Sequence, residues 1–358
     1  MAEGAQKKLC ELYDAGLFDL DGVLYRGKES IPYAAETLAR IRQGGFTAVF
    51  VTNNASRIPE VIASQLVNLG IEAHPDDILS SAHIGVKLAQ SLCGEHARVL
   101  LCGAEGLYQA AREAGLNIVE SADDKPEAVI HGFSPEMNWE RLSEAVLAIR
   151  AGARYITTNL DRLIPRERGL MMGVGSLATA VTHATGVTPI SGAKPEPQMF
   201  RHAAEKAGAH TPLVIGDNLD TDIKGAHASG FPSLHVLTGT HTARDIIFAA
   251  PDMRPSYLAD DVRCLDEPYP DIEPSDEAPH GTDLIRVRAG ESIAECNGTE
   301  ITIGQNTYAL DEQHEETITV TLNEYRALVH ALWLWLDTHP TDRRTIERYM
   351  PEVKVRRS

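Results

Sequence analysis

Cysteine is sparse in this 358-residue chain. Cys10, Cys93, Cys102, Cys264 and Cys296 are an odd set with no Cys-x-x-Cys pair. That usage argues against a disulfide framework or a zinc site and suits free thiols in a reducing, cytoplasmic setting. Long apolar runs are missing as well. The longest candidate, Ala327 to Leu336, contains His330 and has about half the length of a membrane-spanning helix. The start, Met1 to Lys8, is polar and lacks the apolar centre of a signal peptide. Positive charge is in deficit, with 33 Lys and Arg against 51 Asp and Glu and a net charge of −18. Such a field opposes nucleic acid and anionic membrane surfaces as partners, and an anionic small molecule would need a local cationic spot. What is present is ample apolar material for two or three domains.

The most informative stretch is Phe18-Asp19-Leu20-Asp21-Gly22-Val23-Leu24. The apolar run before it, Ala15 to Phe18, reads as the end of a buried strand. In an extended chain Asp19 and Asp21 project to one side. At a strand's carboxyl end they stand where open α/β sheets bind ligands. Gly22 allows a sharp turn and a close approach of backbone to ligand. Two like charges this close need a cation beside them. A nucleophile with an acid/base partner around a metal ion is one reading. Solvated turn chemistry or a calcium loop is the other, and the stretch alone leaves both open.

Downstream, helical spacing runs from Ile31 to Gly44, and Phe46 to Val51 is a buried strand that ends in Thr52-Asn53-Asn54. A helix over Pro59 to Leu69 completes a strand–helix–strand–helix opening, the start of a parallel sheet. Residues 82–187 hold a second α/β run, with strands over Arg98–Gly103, Ala128–Gly132 and Tyr155–Thr158. The last of these runs into Asn159-Leu160-Asp161-Arg162-Leu163-Ile164-Pro165, which reads as a loop. Gly173-Val174-Gly175 follows no strand directly and lacks a third glycine, so it is no dinucleotide loop. Lys194 lies in a stiff loop before a helix over Pro197–Ala207, and Pro212–Gly216 is a strand ending in Asp217-Asn218-Leu219-Asp220-Thr221-Asp222. The predicted organisation is a first body segment over 1–81, an inserted α/β cap over 82–187, a second body segment over 188–265, a linker over 266–282 and a small C-terminal α/β region over 283–358.

Four endings thus meet on one sheet edge, and together they resemble the haloacid dehalogenase superfamily. Asp19-Leu20-Asp21-Gly22-Val23 matches its first motif, Thr52 the second, Lys194 the third and Gly216-Asp217-x-x-x-Thr221-Asp222 the fourth. The resemblance covers about residues 12–265 and implies a Rossmann-like doubly wound parallel sheet. Only about thirty residues separate Asp21 from Thr52, whereas about 140 separate Thr52 from Lys194. That layout is similar to the NagD and p-nitrophenylphosphatase-like branch, with its large α/β cap between the second and third motifs. One departure is Ala193, where the branch carries glycine.

The resemblance implies a magnesium-dependent phosphomonoester hydrolase. Asp19 would be the nucleophile and form an aspartyl-phosphate, with Asp21 as general acid and then base. Magnesium would be held by Asp19, the Asp21 carbonyl and Asp217, with Asp222 behind them. Thr52, Asn53 and Lys194 would neutralise the phosphate oxygens. Dehalogenases of the superfamily lack the second aspartate and phosphoryl-pump ATPases have threonine there, so Asp21 points to ester hydrolysis or phosphoryl transfer. A hydrolase is the first reading, a phosphotransferase the second and a non-catalytic metabolite sensor the third. In the cap loop Asn159, Asp161 and Arg162 should face the leaving group, with no adjacent aromatic to stack a base or a pyridine. Glycerol 3-phosphate is therefore expected over phosphoglycolate, pyridoxal phosphate or a nucleotide.

The tail alternates like strands over Leu284–Arg288, Thr299–Ile303 and Thr317–Thr321, and Thr321-Leu322-Asn323-Glu324 is a capping box for a helix to about Asp337. Its layout is similar to part of an acetyltransferase-like fold without that fold's coenzyme loop, so no acetyl transfer is expected. The helix is apolar on nearly all sides. It should pack on the body or on a second copy in a homo-oligomer, with Trp333 or Trp335 as anchor.

Overall fold

The apolar run before Asp19 forms the centre of a six-stranded parallel sheet. The computed structural model describes residues 7–166, 168–275, 283–310 and 317–357. The first six residues of the polar start and residues 276–282 of the expected linker lie outside the described residues. In chain order, β1 is Ala15–Phe18, α1 Ala34–Gln43, β2 Thr47–Thr52, α2 Pro59–Asn68 and β3 Ile78–Ser80. The inserted stretch then gives α3 (Ser81–Cys93), β4 (Arg98–Cys102), α4 (Glu105–Glu113), β5 (Asn117–Val119), β6 (Ala128–His131), α5 (Trp139–Arg150) and β7 (Arg154–Thr157). A hairpin, β8 (Leu163–Arg166) and β9 (Gly169–Met172), precedes α6 (Val174–Thr185). The body resumes with α7 (Pro197–Ala207), β10 (Pro212–Gly216), α8 (Lys224–Ser229), β11 (Ser233–Val236), α9 (Ala243–Ile247) and β12 (Tyr257–Ala259).

The body strands lie in the order β12-β11-β10-β1-β2-β3, all parallel. β1 and β10 are buried along their whole length, as a parallel sheet covered on both faces requires. The inserted stretch carries its own four-stranded parallel sheet, β5-β4-β6-β7. Part of the stretch read as a loop, Leu163 to Pro165, is instead paired with β9. Strands of three or four residues, such as β5 and β9, are too short for a period of two to stand out in the sequence. No helix among the described residues is long and apolar enough to cross a membrane.

The tail contains more structure than its alternation announced. An antiparallel sheet joins β13 (Ile272–Pro274), β14 (Ile285–Ala289), β15 (Ser292–Cys296), β16 (Glu300–Ile303) and β17 (Asn306–Ala309). The long helix α10, Leu322–Thr338, lies between this sheet and the body. It is capped as its sequence predicts: the Glu324 N–H donates to Thr321 Oγ1, and the Thr321 N–H donates to Glu324 Oε2 at 2.7 Å. A second helix, α11 (Arg343–Tyr349), leads to β19 (Val353–Arg356), which pairs in parallel with β18 (Ile318–Thr321).

The all-round apolar character of α10 has a direct cause. Its residues share one buried cluster with Ala243, Ile246, Ile247, Phe248 and Leu258 of the body and with the tail strands. Trp333 is the anchor on the body, its indole N–H donating to the Ile246 carbonyl at 3.0 Å. Trp335 serves the tail itself, donating to Asp342 and stacking on His339. Polar ties flank the apolar contact. Arg254 forms a two-pronged pair with Asp337, and Arg357 reaches Asp260 and Glu267. Each large side chain so buried contributes roughly 1.5–3 kcal/mol. A chain ending before Asp283 is therefore expected to expose the apolar face of α9 and to self-associate in light scattering. A monodisperse shortened chain with the parent's thermal midpoint would refute this packing.

Candidate active site

The carboxyl ends of β1, β2 and β10 deliver Asp19, Thr52 and Asp217 to one edge. The Asp19 N–H stays in the sheet and donates to the Ile215 carbonyl at 2.9 Å. The chain then bends at Leu20, so Asp19 faces inward while Asp21 is exposed at the mouth. Gly22 has φ +90°, and a Cβ there would lie 2.5 Å from Asp217 Oδ2, so both its conformation and its surroundings require glycine.

Asp19, Asp217 and Asp222 each place a carboxylate oxygen within 4.8 Å of the others. Lys194, almost wholly buried, donates from Nζ to Asp19 Oδ1 at 2.5 Å and to Asp222 Oδ1 at 2.7 Å. Burial pushes the Asp19 carboxyl up to about 7, with Lys194 pulling it down and Asp222 pushing it further up. Burial and the Asp19 charge push Asp217 up to about 6, against donors from Thr240. Asp222 is raised by burial despite Lys194, and the carboxylates hold Lys194 well above its ordinary value against its own burial. One ammonium does not balance three buried carboxylates. An all-oxygen set with this surplus charge fits a hard divalent cation such as magnesium. The Asp21 carboxylate stands outside the cluster. Partial desolvation by the cleft walls raises it, offset by the Gly27 N–H and by Arg26.

The phosphate-side candidates lie beside this cluster. Thr52 is buried, with its Oγ1 accepting from the Asn54 N–H at 3.1 Å. Asn53 donates to the Lys194 carbonyl at 3.1 Å and to Asp161 at 3.3 Å. Its Oδ1 is buried without a partner. Ala193 tucks its methyl into a buried cluster with Val51, Met199 and Phe200, which is how the loop accommodates a residue larger than glycine.

Of the cap candidates, two reach the body. Asn159 is buried and donates to the Asn53 carbonyl at 2.8 Å, and its Oδ1 accepts from the Asp161 N–H. Asp161 is raised by burial and lowered by Asn53 and Lys194. Arg162 is exposed at the base of the hairpin, and its carbonyl accepts from Gly173 N–H and the Ser176 hydroxyl.

A further set escaped the sequence reading. After β11 the chain crosses over Asp217 as a strap, residues 237–242. The Thr240 N–H donates to Asp217 Oδ2 at 2.5 Å, and the Asp217 carbonyl accepts from buried His235 Nε2 and from the His241 N–H. A Cβ on Gly239 would come within 1.9 Å of Asp217 Oδ2. Thr238 Oγ1 donates to the Gly22 carbonyl, and Arg26 donates to the Thr238 carbonyl. The one available signal was the Thr-Gly-Thr that follows a fourth parallel strand.

Comparison with known proteins agrees with this geometry. A family model described as haloacid dehalogenase-like hydrolase matches residues 16–117, and one described as HAD-hydrolase-like matches 192–265. The chain is 37% identical over 327 residues to a Mycobacterium tuberculosis protein named D-glycerol 3-phosphate phosphatase, covering 91% of this chain and 88% of that one. An acid sugar phosphatase of Staphylococcus epidermidis is 34% identical over 70% of this chain and 95% of its own length. The crystal structure of a Mycobacterium tuberculosis glycerol phosphate phosphatase in complex with magnesium superposes with a TM-score of 0.74 at 32% identity, covering 99% of this chain and 96% of that one. With the Asp19–Lys194–Asp217–Asp222 cluster at the mouth of a parallel sheet, these likenesses show that the chain belongs to the haloacid dehalogenase-like hydrolases, in the NagD-like phosphatase branch.

Proposed function

We propose that this chain is a magnesium-dependent phosphomonoester hydrolase whose substrate is glycerol 3-phosphate. The observation that carries this reading is the split between Asp19, buried against Lys194 in the carboxylate cluster, and Asp21, exposed at the mouth two residues later. The likeness over 91% of the chain to a protein named D-glycerol 3-phosphate phosphatase supports the substrate.

In the first step an Asp19 carboxylate oxygen attacks phosphorus, and the bond from phosphorus to the ester oxygen breaks. Asp21, whose carboxyl burial raises above its ordinary value, gives its proton to the departing alkoxide. In the second step Asp21 takes a proton from water, the resulting hydroxide attacks phosphorus, and Asp19 leaves as carboxylate. Lys194, Thr52 and Asn53 balance the equatorial oxygens. Asp19, Asp217 and the Asp21 carbonyl would hold magnesium, with Asp222 behind them, and the ion supplies the positive charge that offsets the phosphate in this acidic site. Asn159 and Asp161 close the cap on the Asn53 loop, so the leaving group is enclosed by polar groups. A three-carbon polyol fits that chemistry better than an aromatic leaving group. All five cysteines are free, and with a net charge of −18 this supports a cytoplasmic enzyme with no nucleic-acid partner. The apolar face of α10 is covered by the body and is not left free for a second copy.

Asp19→Asn should fold normally and lose on the order of a thousandfold or more in kcat, because an amide neither attacks phosphorus nor balances the metal. Steady-state assays on glycerol 3-phosphate test this, and a variant keeping a tenth of the parent rate would refute the assignment.

The raised Asp19 and Asp217 set a pH dependence. Their folded values, about 7 and about 6, lie above the unfolded value of 3.8, so between these limits the metal-free fold binds more protons than the unfolded chain. These groups favour the fold below the unfolded value and lose that contribution as pH rises through 6 to 7. Magnesium must displace those protons, so its stabilisation grows over the same window. Calorimetry of EDTA-treated protein should show a larger magnesium-induced rise in Tm at about pH 8 than at about pH 5.5. Equal rises would mean the ion does not bind these carboxylates.

Asp161→Ala should lower kcat/KM for glycerol 3-phosphate by about tenfold while changing that for p-nitrophenyl phosphate by less than about threefold, since a leaving-group contact discriminates through the transition state. Equal losses on both esters would assign Asp161 to cap closure alone.

A further inference from the structure

Helix α9 has only five residues, too few to persist without partners. Its first turn is capped locally, with the Thr242 N–H donating to Asp245 Oδ2 and the Asp245 N–H donating to Thr242 Oγ1. Its far end is completed from outside. The carbonyls of Ile246 and Phe248 accept from Trp333 Nε1 and from the Arg343 guanidinium, both belonging to the tail. Arg244 on the same helix donates to the Glu347 carbonyl of α11. Apolar contact is continuous here, because Ala243, Ile246 and Ile247 are buried in the cluster formed by α10.

The residue before α9 is the last of the strap that fixes Asp217. Thr240 and His241, two and one residues before the Thr242 cap, supply the N–H groups that grip the Asp217 side chain and carbonyl. The strap has little slack, since Gly239 packs too closely on Asp217 to admit a Cβ. Tail, α9, strap and Asp217 therefore form one unbroken series of contacts.

We propose that the C-terminal module tunes the metal site, with Trp333 and Arg343 as positioning residues that act through α9 and the strap on Asp217. The inference rests on the magnesium reading above. It assigns to the tail a role in the reaction while keeping it away from the substrate. Loosening the far end of α9 lets the strap drift, Asp217 samples more orientations, and the ion is held less tightly. Chemistry at saturating metal changes little because Asp19 and Lys194 lie outside the strap, and Thr238, which holds Gly22 beside Asp21, lies at the strap's end remote from α9.

The test uses the full-length chain stripped of metal. Magnesium binding is measured by titration calorimetry, and the magnesium concentration for half-maximal hydrolysis is measured alongside it. Trp333→Phe with Arg343→Met removes both donors to α9 while keeping the bulk of an aromatic ring. That double variant should weaken magnesium binding about threefold or more, the size of one lost hydrogen bond, and keep kcat at saturating magnesium within about twofold. Arg357→Gln loosens the same module where it meets Asp260 and Glu267, without touching a hydrogen bond to α9. It should lower Tm and leave magnesium affinity unchanged. Trp333→Phe alone, the milder change, should move affinity in the same direction if the double variant does not fold. Parent-like magnesium affinity in folded Trp333→Phe and double variants would overturn the proposal, as would an equal loss in Arg357→Gln. A parent chain that neither binds nor needs magnesium would overturn the functional reading itself, a result that no variant comparison can mimic.

Discussion

Three carboxylates crowd together around one buried ammonium that pairs with only two of them, and most of the molecule serves that arrangement. Asp19, Asp217 and Asp222 repel one another, and burial strengthens the repulsion, so they persist only where other groups force them together. The parallel sheet does the forcing. It aligns β1 and β10 so that their ends release Asp19 and Asp217 side by side, and Lys194 enters from the loop before α7. The residual negative charge is what makes the site receptive to a divalent ion and then to a phosphate brought with it.

Glycine and backbone amides complete the arrangement. Gly22 and Gly239 press on Asp217 from two sides, where any side chain would displace its carboxylate. The strap adds N–H donors to the same residue, and His235 below it holds the carbonyl. Because the Asp217 carbonyl can only accept, His235 carries its proton on Nε2. Burial, which lowers its pKa to about 3, keeps it neutral, and its Nδ1 has no partner. A neutral donor fixes the backbone without adding a charge that would compete with Lys194 or with an ion.

Two appended parts then act on opposite sides of this edge. The inserted sheet reaches the Thr52–Asn54 loop through Asn159 and Asp161. The tail reaches the strap through α9, the side on which Asp217 is held. The inserted sheet and the tail thus touch the site edge through different elements.

The sequence by itself determined the sheet edge and its chemistry. Asp19, Asp21, Thr52, Lys194 and Asp217 are legible because each follows a buried strand or opens a helix, and those signals lie within a few adjacent residues. The α10 helix was legible for the same reason, through its capping box and apolar run. Tertiary structure alone decided what depends on approach between distant segments. It turned Asp21 outward from Asp19 although strand alternation would align them, and it made Asp222 a full member of the carboxylate cluster. It paired Leu163 to Pro165 into a hairpin and left Arg162 exposed. It chose the body as the partner of Trp333 and the tail as that of Trp335. Beyond its Thr-Gly-Thr the strap left no trace in the sequence, because its contacts lie in backbone N–H groups, which every residue but proline carries and which only the fold can aim.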